Sequence, residues 1–238
     1  MAHPTYLSLV NDNLVRLREP EVTTINENVL SKLVSKFVND AKRQVEDSYN
    51  WNALTSTLTA ETTDGVFNYV LVGSGARFKV IEVFNSSDRH FLVPKSSRQM
   101  TQNFIGSAVP QVGSPIFYNF NGINNNGDTQ VDLFPVPNKL YTIFFNLYIP
   151  QVDLEADADS LLVPKEPVVL LALARSLVER GEDGGLTTSE SYALFKNVLG
   201  DYIAIESSRC PLYTADAAEE LLWLHLVRDR IFNTTTTH

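Results

Sequence analysis

One cysteine, Cys210, occurs in 238 residues, so no disulfide can close within the chain. A reducing, intracellular site of assembly is the expectation that follows. Cys210 precedes Pro211 with no identifiable base nearby, which suits a bystander thiol better than a nucleophile. Histidine is scarce as well. His3, His90, His225 and His238 lie far apart with no partner at metal-ligand spacing, so no zinc site is expected. No Gly-x-Ser-x-Gly elbow occurs to anchor a hydrolytic triad. Positive charge is also short: 19 Lys and Arg against 28 Asp and Glu leave a net charge of −9. A duplex-binding protein needs clustered cations to displace counterions from phosphates, so partners held by phosphate contacts are not expected, while proximity to nucleic acid without adhesion stays open.

A membrane-spanning run is missing too. The most apolar stretch, LFPVPNKLYTIFFNLYIP (residues 133–150), is broken by Pro135, Pro137, Asn138, Lys139 and Asn146. A span needs about 20 mostly apolar residues. The uninterrupted part, Tyr141–Ile149, has the length of a strand. Residues 133–150 are therefore expected to form two strands around a Pro-Asn turn, the second of them central or interface-covered because it is apolar on both faces. The opening MAHPTYLSLVND shows neither a basic nor a long apolar segment, so no secretory signal is expected.

What is present is a change of period along the chain. Apolar residues at helical spacing mark residues 5–17, ending before Pro20. A second helix carries the stripe Leu30, Leu33, Val34, Phe37, Val38, Ala41, Val45 and Tyr49, opposite Lys32, Lys36, Asp40, Arg43 and Asp47. Thr24 and Glu27 have the spacing of a capping box for it. From Asn52 to Ile149 the period becomes two, with strands expected over 56–62, 66–72, 78–85, 116–121, 130–134 and 141–149. INNNGDT (123–129) is a hairpin signal, and VGSGAR (72–77) suits a tight turn. It is not a dinucleotide loop, because the third glycine of that fingerprint would fall on Phe78. Residues 86–114, including KSSRQ, are expected to form a long polar excursion.

After Pro150 the acidic DLEADADS (153–160) invites a calcium-loop interpretation. Its sixth and twelfth positions hold Ala158 and Pro164 rather than Gly and Glu, so a solvated linker is preferred. Helical period returns to about Arg180, where GEDGG stops it, again over 188–206, and in a Leu-rich segment over 215–228. The expected class is α+β. A helical body (1–54 and 151–206) carries an inserted antiparallel β region (55–150), and 207–238 is a docking segment. Within that last segment Leu221, Leu222, Trp223, Leu226, Ile231 and Phe232 form a nearly continuous apolar run that must be covered, either by its own subunit or by a partner.

Two stretches carry a resemblance. SLVNDNLVRLREPEVTTINENVLSKLVSKFVNDAKRQVEDSYNWNAL (8–54) and GSPIFYNFNGINNNGDTQVDLFPVPNKLYTIFFNLYIPQVDLEADADSLLVPKEPVVLLALARSLVERGED (113–183) together resemble the head-to-tail adaptors of tailed bacteriophages, of the connector or tail tubular protein A kind. One departure stands out: Arg18 occupies the place where that family commonly has Gly before Glu-Pro. The resemblance implies a non-enzymatic virion protein without cofactor or metal. It implies a homo-oligomeric ring, commonly a dodecamer, at the head-tail junction, assembled in the host cytoplasm. The ring would join the portal protein to the tail tube or nozzle protein and continue a channel through which DNA passes without specific binding. On that expectation Lys36, Phe37, Arg43, Arg175, Glu179 and Arg180 are candidates for ring packing, and the 221–232 residues named above for portal docking. The alternative from another class is a carbohydrate- or small-ligand-binding module that uses the aromatic strands.

Overall fold

In a computed structural model, residues 3–106, 111–181 and 186–209 are described. The chain is α+β. It begins with α1 (Tyr6–Arg16), capped by the Thr5 hydroxyl, and α2 (Val29–Ser48). The cap of α2 is not the one the Thr24/Glu27 spacing suggests. Asn28 and Ser31 form the reciprocal box, while the Glu27 carboxylate takes the Thr23 N–H and hydroxyl and closes the loop before it. Asn28 caps better than Thr24 because it stands directly before the first helical turn.

The turn after α1 explains the departure at Arg18. The Arg18 N–H reaches Val15 O and the Glu19 N–H reaches Leu14 O, the double bond of a Schellman motif. That motif puts its closing residue in the left-handed region, and Arg18 has φ +60. A side chain there costs about 1–2 kcal/mol that glycine avoids, less glycine's larger unfolded-state entropy. Arg18 is exposed, and its side chain makes no hydrogen bond or ion pair among the described residues. Arg18→Gly is thus expected to stabilise the protein by about 0.5–1 kcal/mol. A urea midpoint that falls instead would show that the turn is not strained.

Past a short 3-10 turn (Asn52–Leu54), eight strands make two four-stranded sheets. One has the order β1 (Thr55–Glu61), β8 (Thr142–Tyr148), β3 (Lys79–Asn85), β4 (His90–Phe91). The other has the order β2 (Asn68–Leu71), β7 (Thr129–Phe134), β6 (Phe117–Ile123), β5 (Val93–Pro94). Tyr118, Val131, Leu133, Ile143, Phe145 and Leu147 fill their shared core. INNNGDT forms the β6–β7 hairpin, with Gly127 at φ +88. VGSGAR is a turn that crosses from one sheet to the other, held to that hairpin by Gly73 N–H to Asp128 and Thr129 N–H to Ser74.

Residues 133–150 do hold two strands, and β8 is central, flanked by β1 and β3. The two strands do not pair with each other. After the cis Phe134–Pro135 bond the chain changes sheet, and Thr62 secures the crossing by donating to Lys139 O and accepting from Tyr141 N–H. The excursion 86–114 also departs from expectation. It contains β4, β5 and α3 (Ser97–Ile105), and KSSRQ is the start of that helix, with a Ser96/Gln99 capping box. Met100 is buried, and the Phe104 ring sits 4.7 Å from Phe67 and 5.3 Å from Phe134.

The chain then returns to the helices. DLEADADS is no solvated linker. Buried Leu154 has both its N–H and its carbonyl bonded to Asn39, Asp157 accepts the Ile25 N–H, and Tyr6 N–H donates to Asp159 O. Three of its carboxylates, Asp153, Asp157 and Asp159, are spent on α2, on the Ile25 loop and on the turn itself. α4 (Lys165–Arg180), buried along most of its length, is the central helix of the body and ends at left-handed Gly181. α2 and α5 (Leu186–Arg209) both pack on α4, and α1 rests on α2 and α4. A second core of Leu9, Leu14, Val38, Val45, Val168 and Leu171 fills this layer. The expected 215–228 helix, Cys210 and the docking residues Leu221, Leu222, Trp223, Leu226, Ile231 and Phe232 lie outside the described residues.

Candidate functional site

Among the described residues, no group of three or more His, Cys, Asp and Glu is placed to hold a metal ion, and no helix is long and apolar enough to cross a membrane.

α5 is the least covered helix. One side, with Phe195, Val198, Leu199, Tyr202 and Ile203, packs on the body. Leu194 and Ile205, eleven residues apart and so on one flank, are about half exposed. The far side carries small exposed residues, Ala193, Gly200 and Ala204. A helix apolar on more than its packed side has area left for another chain. At its C-terminal end a hollow of about 380 Å³ opens between Tyr202, Ile205, Trp51, Leu162 and Pro164. There the Tyr202 hydroxyl donates to Glu166, and that bond, helped by burial, pushes the phenol up to about 12.

At the C-terminal end of α2 a second cavity, about 220 Å³, lies where the helical body meets the β region. Glu46, Tyr49, Phe78 and Tyr148 are among its lining residues. Glu46 and Lys42 form an ion pair buried to zero exposure on α2, 3.2 Å apart. Lys42 Nζ also donates to Gln151 O (2.7 Å) and Val152 O (3.1 Å). Burial raises the Glu46 carboxyl above its ordinary value, and the Lys42 charge opposes the rise. The signal for this pair was present in the sequence: Lys42 and Glu46 are one turn apart beside the apolar stripe.

The candidate ring-packing residues divide. Arg43 and Arg175 meet through Asp40, at 3.5 and 3.3 Å, on the surface shared by α2 and α4. Arg43 also grips Asp153, whose carboxyl that bond holds below its ordinary value. Arg175 takes Gln44 at 3.0 Å. Arg180 binds Leu17 O and Glu19, tying the end of α4 to the turn after α1. These three arginines serve the subunit's own surface. Phe37 is half-buried against the body core, while Lys36 and Glu179 are exposed. The aromatic strands present few open rings. Phe120 meets Phe78 at 5.1 Å and Tyr118 at 5.5 Å, edge on, and Phe145 is fully buried.

No curated protein matches the chain. Against known families, residues 4–217 match the SU10 adaptor protein family, a stretch that takes in both helical segments and every strand described above. The chain therefore belongs to the SU10 adaptor family of tailed-phage adaptor proteins.

Proposed function

We propose that this adaptor is a ring-forming virion protein without enzymatic activity, joining the portal to the tail tube or nozzle and continuing the DNA exit channel. The family match over residues 4–217 carries the proposal. Three further observations support its parts. α2, α4 and α5 lie side by side, an arrangement suited to lateral packing around a ring, commonly of twelve copies. The open flank of α5 supplies apolar area for a neighbour. The net charge of −9 disfavours adhesion to phosphates, so DNA slides rather than binds. On this proposal the body is 1–54 with 151–206, and the β region 55–150 faces the tail component. Lys36, Phe37, Arg43, Arg175, Glu179 and Arg180 lie at or near the ring contact.

The segment 207–238 is proposed to dock on the portal through Leu221, Leu222, Trp223, Leu226, Ile231 and Phe232. Deleting 211–238 is expected to abolish co-sedimentation with the portal while leaving the circular-dichroism spectrum and unfolding midpoint of the body in place. Portal binding by the truncated chain would sink the assignment.

A further inference from the structure

α5 ends on an apolar opening. Arg209, its last residue, is part of the lining of the 380 Å³ hollow beside Tyr202 and Ile205. Back along the helix, Leu194 and Ile205 are about half exposed on one flank. Ile205 belongs to both features, so flank and hollow adjoin. Pro211 has no N–H to give a helix and disfavours helical backbone at Cys210, which accounts for α5 stopping at Arg209.

The sequence beyond Arg209 has the length and the charge order to cover this surface. Leu212 and Tyr213 follow three and four positions later, within about 14 Å of Arg209 even when fully extended, and so within reach of the hollow. Leu212 suits its Leu162, Pro164 and Ile205, and a tyrosine, apolar with a polar tip, suits a lining that also carries Asn52 and Glu206. Helical period resumes at 215, leaving 210–214 as a five-residue connection, a length that joins antiparallel helices. A helix over 215–228 is about 21 Å long, and α5 from Leu194 to Arg209 about 22 Å. Ala218, Leu222 and Leu226 recur along one face of it. Returning antiparallel, it brings its acidic start (Asp216, Glu219, Glu220) beside the exposed Arg209 and its basic end (Arg228, Arg230) toward the exposed Glu190.

We propose that the α5 flank and its hollow are the seat of the chain's own residues 210–228, folded back as a helical hairpin with Leu212 and Tyr213 in the hollow. The short connection favours this copy's segment over another's, because it holds the segment at a roughly millimolar effective concentration. In full-length protein with Cys210→Ser, single thiols are introduced by Leu194→Cys, Ile205→Cys and, as a control, Lys196→Cys, two residues from Leu194 and so across the helix. Maleimide alkylation at the first two is expected to be slower by about tenfold or more than in the same chains carrying Leu222→Pro, which breaks 215–228. Lys196→Cys should react alike in both. Arg228→Glu with Arg230→Glu should speed alkylation of Leu194→Cys about threefold, and adding Glu190→Arg should slow it again, a rescue that misfolding cannot imitate. Protection that is absent, or that rises with protein concentration as seating of another copy's segment requires, overturns the seat.

The ring proposal gives the same flank to a neighbouring copy. The two occupants exclude each other, so the segment must leave α5 before a neighbour can pack there. This consequence rests on the ring proposal, whereas the seat does not, and sedimentation of the full chain separates them. Leu222→Pro is expected to self-associate without portal where the wild type does not, and adding Leu194→Asp with Ile205→Asp should stop it. A Leu222→Pro chain that stays monomeric, or a wild type that assembles with its flank still protected, overturns the exclusion while the seat stands on the alkylation result.

Discussion

Lys42→Ala is expected to destabilise the protein by about 3–5 kcal/mol, the cost of removing one partner from a fully buried ion pair. The ammonium answers three acceptors from two parts of the fold: Glu46 on its own helix, and the carbonyls of Gln151 and Val152 just beyond β8. Alanine leaves the fully buried Glu46 carboxylate with the Gln151 N–H alone and takes the donor from the two part-buried carbonyls. Part of the loss is recoverable by the carboxyl itself. Its pKa is already raised by burial, and without Lys42 it rises further, so Glu46 takes up a proton rather than staying charged. The sign follows. A carboxyl with a folded pKa above its unfolded value penalises folding at high pH, and the penalty disappears as pH falls through the folded value. The Lys42→Ala deficit should therefore be largest at neutral pH and shrink on mild acidification. Lys42→Met with Glu46→Leu should cost less than Lys42→Ala, because no charge stays buried, yet more than nothing, since the two carbonyls still lose their donor. Urea unfolding of the three proteins at pH 7 and pH 5 decides it. A Lys42→Ala deficit below about 1 kcal/mol, or one that grows on acidification, would mean that the pair is not sealed from water.

The sequence made this pair hard to see and the rest of α2 easy, for one reason. Period identifies which side of a helix is buried but not what a charge at the edge of that side will meet. Val34, Val38, Ala41 and Val45 were legible as core, and Lys36, Asp40, Arg43 and Asp47 as surface. Lys42 and Glu46 fall between, and their backbone partners, an acceptor for Lys42 and a donor for Glu46, come from more than a hundred positions away. The strands show the same limit. Six of the eight were readable to within about two residues from alternation and turn signals, and so was the covered place of β8, while β4 and β5 lay hidden in the polar stretch 86–114. Apart from the β6–β7 hairpin their partners were not, because β7 and β8, neighbours in sequence, belong to different sheets. The helix α3 is another matter. Ser96 and Gln99 stand at capping-box spacing, and Met100 and Phe104, one turn apart, are its inward face, so the signal existed inside a stretch whose polarity hid it. For the acidic stretch after Pro150, composition suggested solvation. The fold instead uses short carboxylates to satisfy backbone N–H groups at a crossing of two loops, a role that depends on Ile25 and the turn itself.

Phe145→Ala should have an effect of comparable size confined to one half of the molecule. Phe145 is fully buried on β8, opposite Leu58 on β1 and Val83 on β3, and faces a core that includes Val131 and Leu133 of the other sheet. Removing a buried ring from a two-sheet core costs about 3–5 kcal/mol, because the lost transfer energy is joined by a cavity that flanking strands cannot collapse. Phe145→Leu, which keeps most of the volume, should cost about 1 kcal/mol. The location of the damage is the informative part. The core around Phe145 and the core around Leu9, Val38 and Val168 share no residue. If 55–150 is a unit of its own, Phe145→Ala should speed hydrogen exchange throughout β1, β3, β7 and β8 while amides of α1, α2 and α4 keep their protection, and thermal unfolding should split into two transitions. The Lys42 pair sits where these parts meet, so Lys42→Ala should lower protection on both sides. A single transition with uniform loss of protection in Phe145→Ala would show instead that the two cores fold as one, and that the joint at Glu46 and Gln151 couples them too tightly for the β region to melt first.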